Sequence, residues 1–302
     1  MTRRTIGLLV VVLGLFVARL VAAAQLSAAV PRIGFLSLGS PTPDSPFFEV
    51  FRQRLRELSC VEGQNVIFEH RWAGTADQLP DLAADLVRLN VDVIVAPSTP
   101  AIHAAKDATT TISIVSLSVG DPVRSGFVES LARPGGNITG VTGPLTAKFS
   151  AKLLELLKEA VPKVARMAVL GSPTSVAMNS REVRIAARSL GVQVQFLAVQ
   201  DTNEFESAFE TATSQGAGAL IMLPTVLLSL HERTIAALAV KHRLPAIFWR
   251  NSFAEVGGLM AYGPSRHEQQ QRAAALVGKI LKGAKPGDLP VEQATRFELI
   301  IN

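Results

Sequence analysis

The sequence predicts an α/β protein of two doubly wound parallel-sheet lobes joined by a multi-strand hinge. Three observations lead there. From Pro31 onward, short β-branched or apolar runs alternate with loops of Gly, Ser, Pro or Thr and then with segments of helical spacing, the βαβ signature of a parallel sheet. Nearly continuous apolar runs such as Val91-Asp92-Val93-Ile94-Val95-Ala96 suit strands covered by helices on both faces. The alternation stops at Arg133-Pro134-Gly135-Gly136-Asn137, a run dense in turn formers, and then begins again. Two similar lobes in series account for this with no fixed-period repeat.

In chain order, residues 32–37 read as a strand, 47–58 as a helix, 65–71 as a strand, 77–89 as a helix and 91–96 as a strand. Residues 100–108 follow as a helix, 112–117 as a strand and 125–131 as a short helix, with a boundary near 141–145. The second series reads helix 148–160, strand 166–170, helix 177–190, strand 193–199, helix 204–215, strand 219–223, helix 228–242 and strand 246–249. Residues 257–263 then look like a strand entering another helix, 267–281, which has no strand of its own to follow in the second lobe. A chain that returns to its first lobe explains that helix and provides more than one hinge strand.

Ahead of the first strand lie Arg3-Arg4, an apolar run from Ile6 to Ala18, and Ala22-Ala23-Ala24 before Gln25. A positive start, about a dozen apolar residues and small residues at −3 and −1 make residues 1–24 a secretory signal peptide, which predicts an exported, periplasmic protein. The run is short against the roughly 20 residues of a spanning helix, and Arg19 closes it. Thr2-Arg3-Arg4 also opens like a twin-arginine signal. Cys60, the only cysteine, lies far from the cleavage site, so a lipid anchor and an internal disulfide are not expected, and a half-buried structural thiol is. The formal charge of +5 falls to +2 once Arg3, Arg4 and Arg19 leave with residues 1–24, which hold no acid. Basic residues are scattered, with no stripe interleaved with aromatics, so nucleic acid is not an expected partner.

The sequence has no GxGxxG, P-loop, GxSxG or HExxH motif, and no cofactor is expected. His70, His103, His231, His242 and His267 show no metal-ligand spacing, so a metal site is not predicted. Nothing in the loops supplies a nucleophile with a paired base, which argues against an enzyme. What stands out is the chemistry of the loops that follow strands, where open α/β sheets bind ligands. They are Ser37-Leu38-Gly39-Ser40-Pro41-Thr42, Pro97-Ser98-Thr99-Pro100, Ser118-Val119-Gly120-Asp121-Pro122, Gly171-Ser172-Pro173-Thr174, Pro224-Thr225 and Arg250-Asn251-Ser252-Phe253. Hydroxyls and free N–H groups at a helix start suit a carboxylate, and plain helix capping uses the same residue types. Asp121 suits a ligand ammonium or, equally, a turn cap.

Pro31-Arg32-Ile33-Gly34-Phe35-Leu36, Val61-Glu62-Gly63-Gln64-Asn65-Val66, Glu69-His70-Arg71-Trp72, Gly120-Asp121-Pro122-Val123 and Arg133 through Val141 form an ordered series of motifs. It continues through Tyr262-Gly263-Pro264-Ser265, Leu281-Lys282-Gly283-Ala284-Lys285-Pro286 and Phe297-Glu298-Leu299-Ile300-Ile301-Asn302. The series resembles the ABC-transporter substrate-binding proteins of the tryptophan/tyrosine-binding type. The resemblance implies a type I periplasmic-binding fold, with a first lobe of residues 31–140 plus about 257–290 and a second of about 141–256 plus about 291–302. It implies capture of an amino acid or related carboxylate by hinge closure, and delivery to an ABC permease with its cytoplasmic ATPase. A sensor module feeding a membrane receptor would carry the same signature. On the matching positions, Ser37, Gly39, Ser40, Ser98, Thr99 and Asp121 would form the first-lobe wall, Thr174, Thr225 and Asn251 would face them, and Asn137 would lie near the hinge. Trp72, Phe47, Trp249, Phe253 and Tyr262 are candidates for stacking on an apolar side chain, or for the core. Members of this type run on beyond the position of Asn302, so exposed apolar surface is expected on the second lobe.

Overall fold

The computed structural model describes residues 30–39, 46–143 and 147–302, with the side chains of 46, 47, 118, 119 and 147 left aside. The predicted signal peptide, Ser40 and the Phe47 side chain lie outside the described residues. Two six-stranded sheets carry the fold.

The first sheet is built from β1 (Arg32–Leu38), β2 (Ile67–Ala73), β3 (Val93–Ala96), β4 (Ser113–Val119), β5 (Ile138–Thr142) and β11 (Glu292–Gln293). Its order is β11-β5-β4-β3-β1-β2, all parallel. Helices α1 (Pro46–Glu57), α2 (Leu79–Arg88) and α3 (Thr99–Ala108) fill its crossovers. The second sheet contains β6 (Arg166–Gly171), β7 (Gln193–Ala198), β8 (Ala219–Met222), β9 (Ala246–Phe248), β10 (Met260–Pro264) and β12 (Phe297–Ile301). Its order is β12-β10-β9-β8-β6-β7, parallel except for the antiparallel edge strand β12. It is wound with α4 (Ala147–Ala160), α5 (Pro173–Ser189), α6 (Glu204–Ser214), α7 (Val226–Leu230), α8 (Glu232–Lys241) and α9 (Ser252–Glu255).

Each sheet is buried on both faces. In the first lobe Ile94, Ile114 and Leu36 face α2 and α3, while Phe35, Val95 and Val115 face α1 and the returning helix α10 (Arg266–Leu281). Strands β3 and β8 are buried at every position, as their unbroken Val-Ile-Val-Ala and Ala-Leu-Ile-Met runs require. Helix α10 brings Ala273, Ala274, Leu276, Val277 and Ile280 onto the first sheet, so the return of the chain is a packing fact.

Three differences from the sequence reading have physical causes. No helix forms over 125–131; Phe127 N–H donates to Pro122 O, and Gly126 turns at φ 68°, which breaks helical continuity. The helix read over 228–242 is two helices, because His231 leaves the helical region at φ −119° and ψ 28°. The lobe limits also move. β10, expected with the first lobe, pairs with β9 and β12 in the second sheet, while β11, expected with the second lobe, pairs with β5 in the first. Sheet membership is decided by hydrogen-bonded neighbours, which local pattern does not encode. The second lobe carries exposed Val240, Leu259, Leu299 and Ile301, the last two alternating outward on the edge strand β12. Among the described residues no helix is long and apolar enough to cross a membrane.

Candidate functional site

The parallel winding places the loops at the carboxyl ends of both sheets: Gly39 after β1, Ser98 after β3, Ser172 after β6, Thr225 after β8 and Asn251 after β9. The first-lobe turn at Gly39 adopts φ 85° and donates its N–H to Ala73 O at 2.9 Å. A Cβ at this position would stand 3.0 Å from Leu230 Cδ2, so the turn after β1 lies against α7 of the other lobe. The two rows of loops therefore meet.

Within the first lobe, Ser98 occupies the N-cap position of α3 with extended φ −141° and ψ 152°, yet makes no cap bond. Its Oγ is buried with no hydrogen-bond partner. An unpaired buried hydroxyl costs about 1–3 kcal/mol, a cost that a ligand acceptor would remove. Thr99, half-buried, opens the helix beside it, where N–H groups are free and the dipole is positive. Ser37 is buried near the end of β1 and spends its hydroxyl on Leu38 O at 3.2 Å.

Asp121 and Asn137 both bond groups of the protein itself. Asp121 is exposed, and its Oδ1 accepts the Arg124 N–H at 2.9 Å, so it caps its own turn. Asn137 precedes β5 and thus lies at the amino end of the first sheet, the end opposite the hinge. Its Nδ2 donates to Thr109 O at 3.1 Å and Ile112 O at 2.8 Å, pinning the loop between α3 and β4.

On the second lobe, Thr225 caps α7 by accepting Leu228 N–H at 3.1 Å, and Thr174 is exposed beside the Ser172 cap of α5. The segment after β9 is different. Trp249 Nε1, Asn251 Oδ1 and Ser252 Oγ are all buried without a partner, although Asn251 Nδ2 donates to Glu298. Gly263 on β10 closes against this segment, since a Cβ there would fall 1.8 Å from Trp249 O.

Beside these groups, Arg250 Nε stands 2.9 Å from Glu232 Oε1, an ion pair whose alignment falls short of a directed hydrogen bond. Burial lowers the Arg250 pKa, with Glu232 opposing. Burial, then the nearby charge of Arg250, pull Arg266 down to about 10, against Glu232 and Glu255. The guanidinium group keeps its proton in proteins, so both side chains count as cations here. Such a half-dry cationic wall, with the Ser252 hydroxyl and the Trp249 indole N–H free to donate, can hold a small carboxylate, while Asn251 Oδ1 is an acceptor and suits a ligand N–H. Of the groups here, Asn251 alone was singled out by sequence reasoning as a polar ligand contact; Arg250 and Ser252 stood in the quoted loop, while Glu232 and Arg266 left no local signal.

Of the aromatic candidates, Phe253 is core, fully buried and edge-on to Phe248 at 5.5 Å. Tyr262 stacks with Phe149 and Phe297 at 5.8 and 5.6 Å. Trp72 stacks on His70 at 5.5 Å, and Phe35 stacks on the same imidazole at 5.0 Å. Cys60 is half-buried at the edge of the first-lobe core. Among the described residues no group of three or more His, Cys, Asp or Glu is placed to hold a metal ion.

Residues 49–302 match the family described as ABC transporter substrate binding protein. The chain belongs to this family. It is 28% identical over 260 residues to a tyrosine-binding protein of Clostridioides difficile, covering 83% of this chain and 73% of that one. Among solved structures it is similar to a conserved domain protein of Vibrio cholerae, with TM-score 0.78, 24% identity and coverage of 90% and 92% of the two chains. It is similar as well to the ABC domain of Streptococcus pneumonia in complex with L-Trp, with TM-score 0.77, 24% identity and 91% and 92% coverage. The fold is that of the type I periplasmic binding proteins, two parallel-sheet α/β lobes.

Proposed function

We propose that the chain is the extracytoplasmic solute-binding component of an ABC importer. It captures an amino acid or related carboxylate between its lobes by hinge closure and delivers it to a membrane permease driven by a cytoplasmic ATPase. The observation that carries this reading is the buried, unpartnered Ser98 Oγ at the start of α3 after β3, together with a second-lobe segment after β9 that carries three more such polar atoms. Gly39, Ser98 and Thr99, with Ser37 beneath them, form the first wall. Asn251, Ser252 and Trp249, flanked by Thr225, Thr174 and the Arg250–Arg266 pair, form the second. The tyrosine named for one relative and the L-Trp in another support an aromatic amino acid as the first ligand to try.

The act is binding with release, and no step requires bond chemistry. The test is thermal unfolding of the chain from Gln25 with a panel of amino acids and small organic acids. A ligand that binds only the folded state adds about 2.7 kcal/mol at 100 times its dissociation constant and raises the midpoint. A cooperative melt that no amino acid or small carboxylate shifts would overturn the reading.

A further inference from the structure

Two of the segments that cross between the lobes run side by side. Residues 264–266 lead from β10 to α10, and residues 293–297 lead from β11 to β12. On the second-lobe side they belong to one ladder, in which Pro264 faces Phe297 and Gly263 faces Glu298. Ser265 N–H then donates to Arg296 O at 2.9 Å.

The next contacts belong to the first lobe and centre on one carboxylate. Glu268, in the first turn of α10, accepts from Arg296 N–H at 2.9 Å, Thr295 N–H at 3.3 Å and Thr295 Oγ1 at 2.7 Å. Arg272, one turn further along α10, donates to Glu268 at 2.7 and 3.0 Å, and to Glu292 on β11 at 3.0 Å. Ala294 N–H donates to Thr142 O at the end of β5. Ser265-Arg266-His267-Glu268 has the spacing of a capping box, in which the glutamate bonds the N-cap N–H of its own helix. Here that N–H is given to Arg296 O, and the glutamate serves the neighbouring crossing instead.

We propose that Glu268 is a positioning residue for lobe closure: its carboxylate fastens the 293–297 crossing to α10, which continues the 264–266 crossing, so that the two turn as one piece about the bonds on the second-lobe side of Ser265 and Arg296. Charge-assisted bonds of this kind are about twice as strong as neutral ones, and five of them converge on one group. Burial raises the carboxyl, but bonds from Thr295, Arg296 N–H and Arg272 outweigh it and hold it at about 2, so the clasp is charged at any pH at which the protein works. With the clasp in place the lobes rotate about one axis. Without it, each crossing flexes separately and the closing-competent arrangement is a smaller share of the ensemble.

The inference rests on the reading of the chain as a closing binder, but its test needs no ligand. Spin labels are placed at Glu129→Cys in the first lobe and Arg181→Cys in the second, on a Cys60→Ser background, and the interlobe distance distribution is measured in unliganded protein. Glu268→Gln is expected to broaden that distribution while both lobes keep their near-ultraviolet dichroism, and to weaken a found ligand about tenfold through the smaller competent fraction. Thr295→Val, which removes the hydroxyl donor and keeps the chain's shape, should broaden it to a lesser degree. A distribution as narrow as wild type in both folded variants, with only a lower melting midpoint, would show a merely structural residue and overturn the proposal. Broadening in a protein that no ligand shifts would leave the clasp standing and count against the binding reading alone.

Discussion

Ser98→Ala separates two roles that one residue type can play at a helix start. Ser98 and Thr225 both occupy N-cap positions after a strand, but Thr225 accepts Leu228 N–H at 3.1 Å while the Ser98 hydroxyl is buried and unbonded. Removing a working cap costs about 1 kcal/mol, so Thr225→Ala should lower the urea midpoint of the unliganded protein. Removing an unpaired buried hydroxyl relieves a desolvation cost of about 1–3 kcal/mol, so Ser98→Ala should leave unliganded stability unchanged or raise it. In the complex the sign reverses. A hydroxyl donating to a carboxylate contributes about 1.5–3 kcal/mol, and its loss weakens binding roughly 10- to 150-fold. Urea unfolding without ligand and calorimetric titration with it read the two effects separately. If Ser98→Ala destabilises the free protein as much as Thr225→Ala and binds ligand with wild-type affinity, the hydroxyl is a cap and the reasoning is wrong.

Two further outcomes follow from the same structure. Asn137→Ala forfeits two hydrogen bonds to the loop before β4, about 2 kcal/mol in all, and urea unfolding should show that loss with ligand affinity intact; reduced affinity at full stability would return Asn137 to the site. His70 is held below its ordinary 6.5 first by burial and then by Arg52, with Glu69 opposing. Neutral His70 is therefore the favoured folded form, and its stabilisation is present above about pH 6.5 and lost as pH falls through that value and the lower folded one. In His70→Phe the fall of the melting midpoint between about pH 7 and 5 should be shallower than in wild type, and an unchanged slope would place the acid-sensitive group elsewhere.

The sheets were legible because burial on both faces writes itself into continuous apolar runs such as those of β3 and β8, and helices because their crossovers repeat at 3.6. Pairing was not. No strand is read over 138–142, whose end falls in the boundary placed near 141–145, since Gly and Thr dilute the apolar signal of β5, and β11, two residues long, has no pattern at all. The chemistry of the proposed site was half legible for a related reason. Hydroxyl-rich loops mark the carboxyl ends of the strands, but whether an oxygen is spent on a cap, as in Thr225, or left unpaired, as in Ser98, depends on small differences in backbone placement. Arg266 and Glu232 reach the same neighbourhood as Arg250 from distant segments, and only the fold makes them neighbours.

The interleaving of the lobes also governs how the chain can mature. The first lobe waits for α10 to cover Phe35 and Val115, and for β11 to extend its sheet beside β5. The second gains its edge strand only with residues 297–301. The first lobe cannot complete its native core until α10 and β11, which follow nearly the whole second lobe in the chain, are available, so strict lobe-by-lobe folding in chain order is denied to it and its long-range contacts come last. In a chain of this layout the lobe begun first has to wait for the lobe begun second.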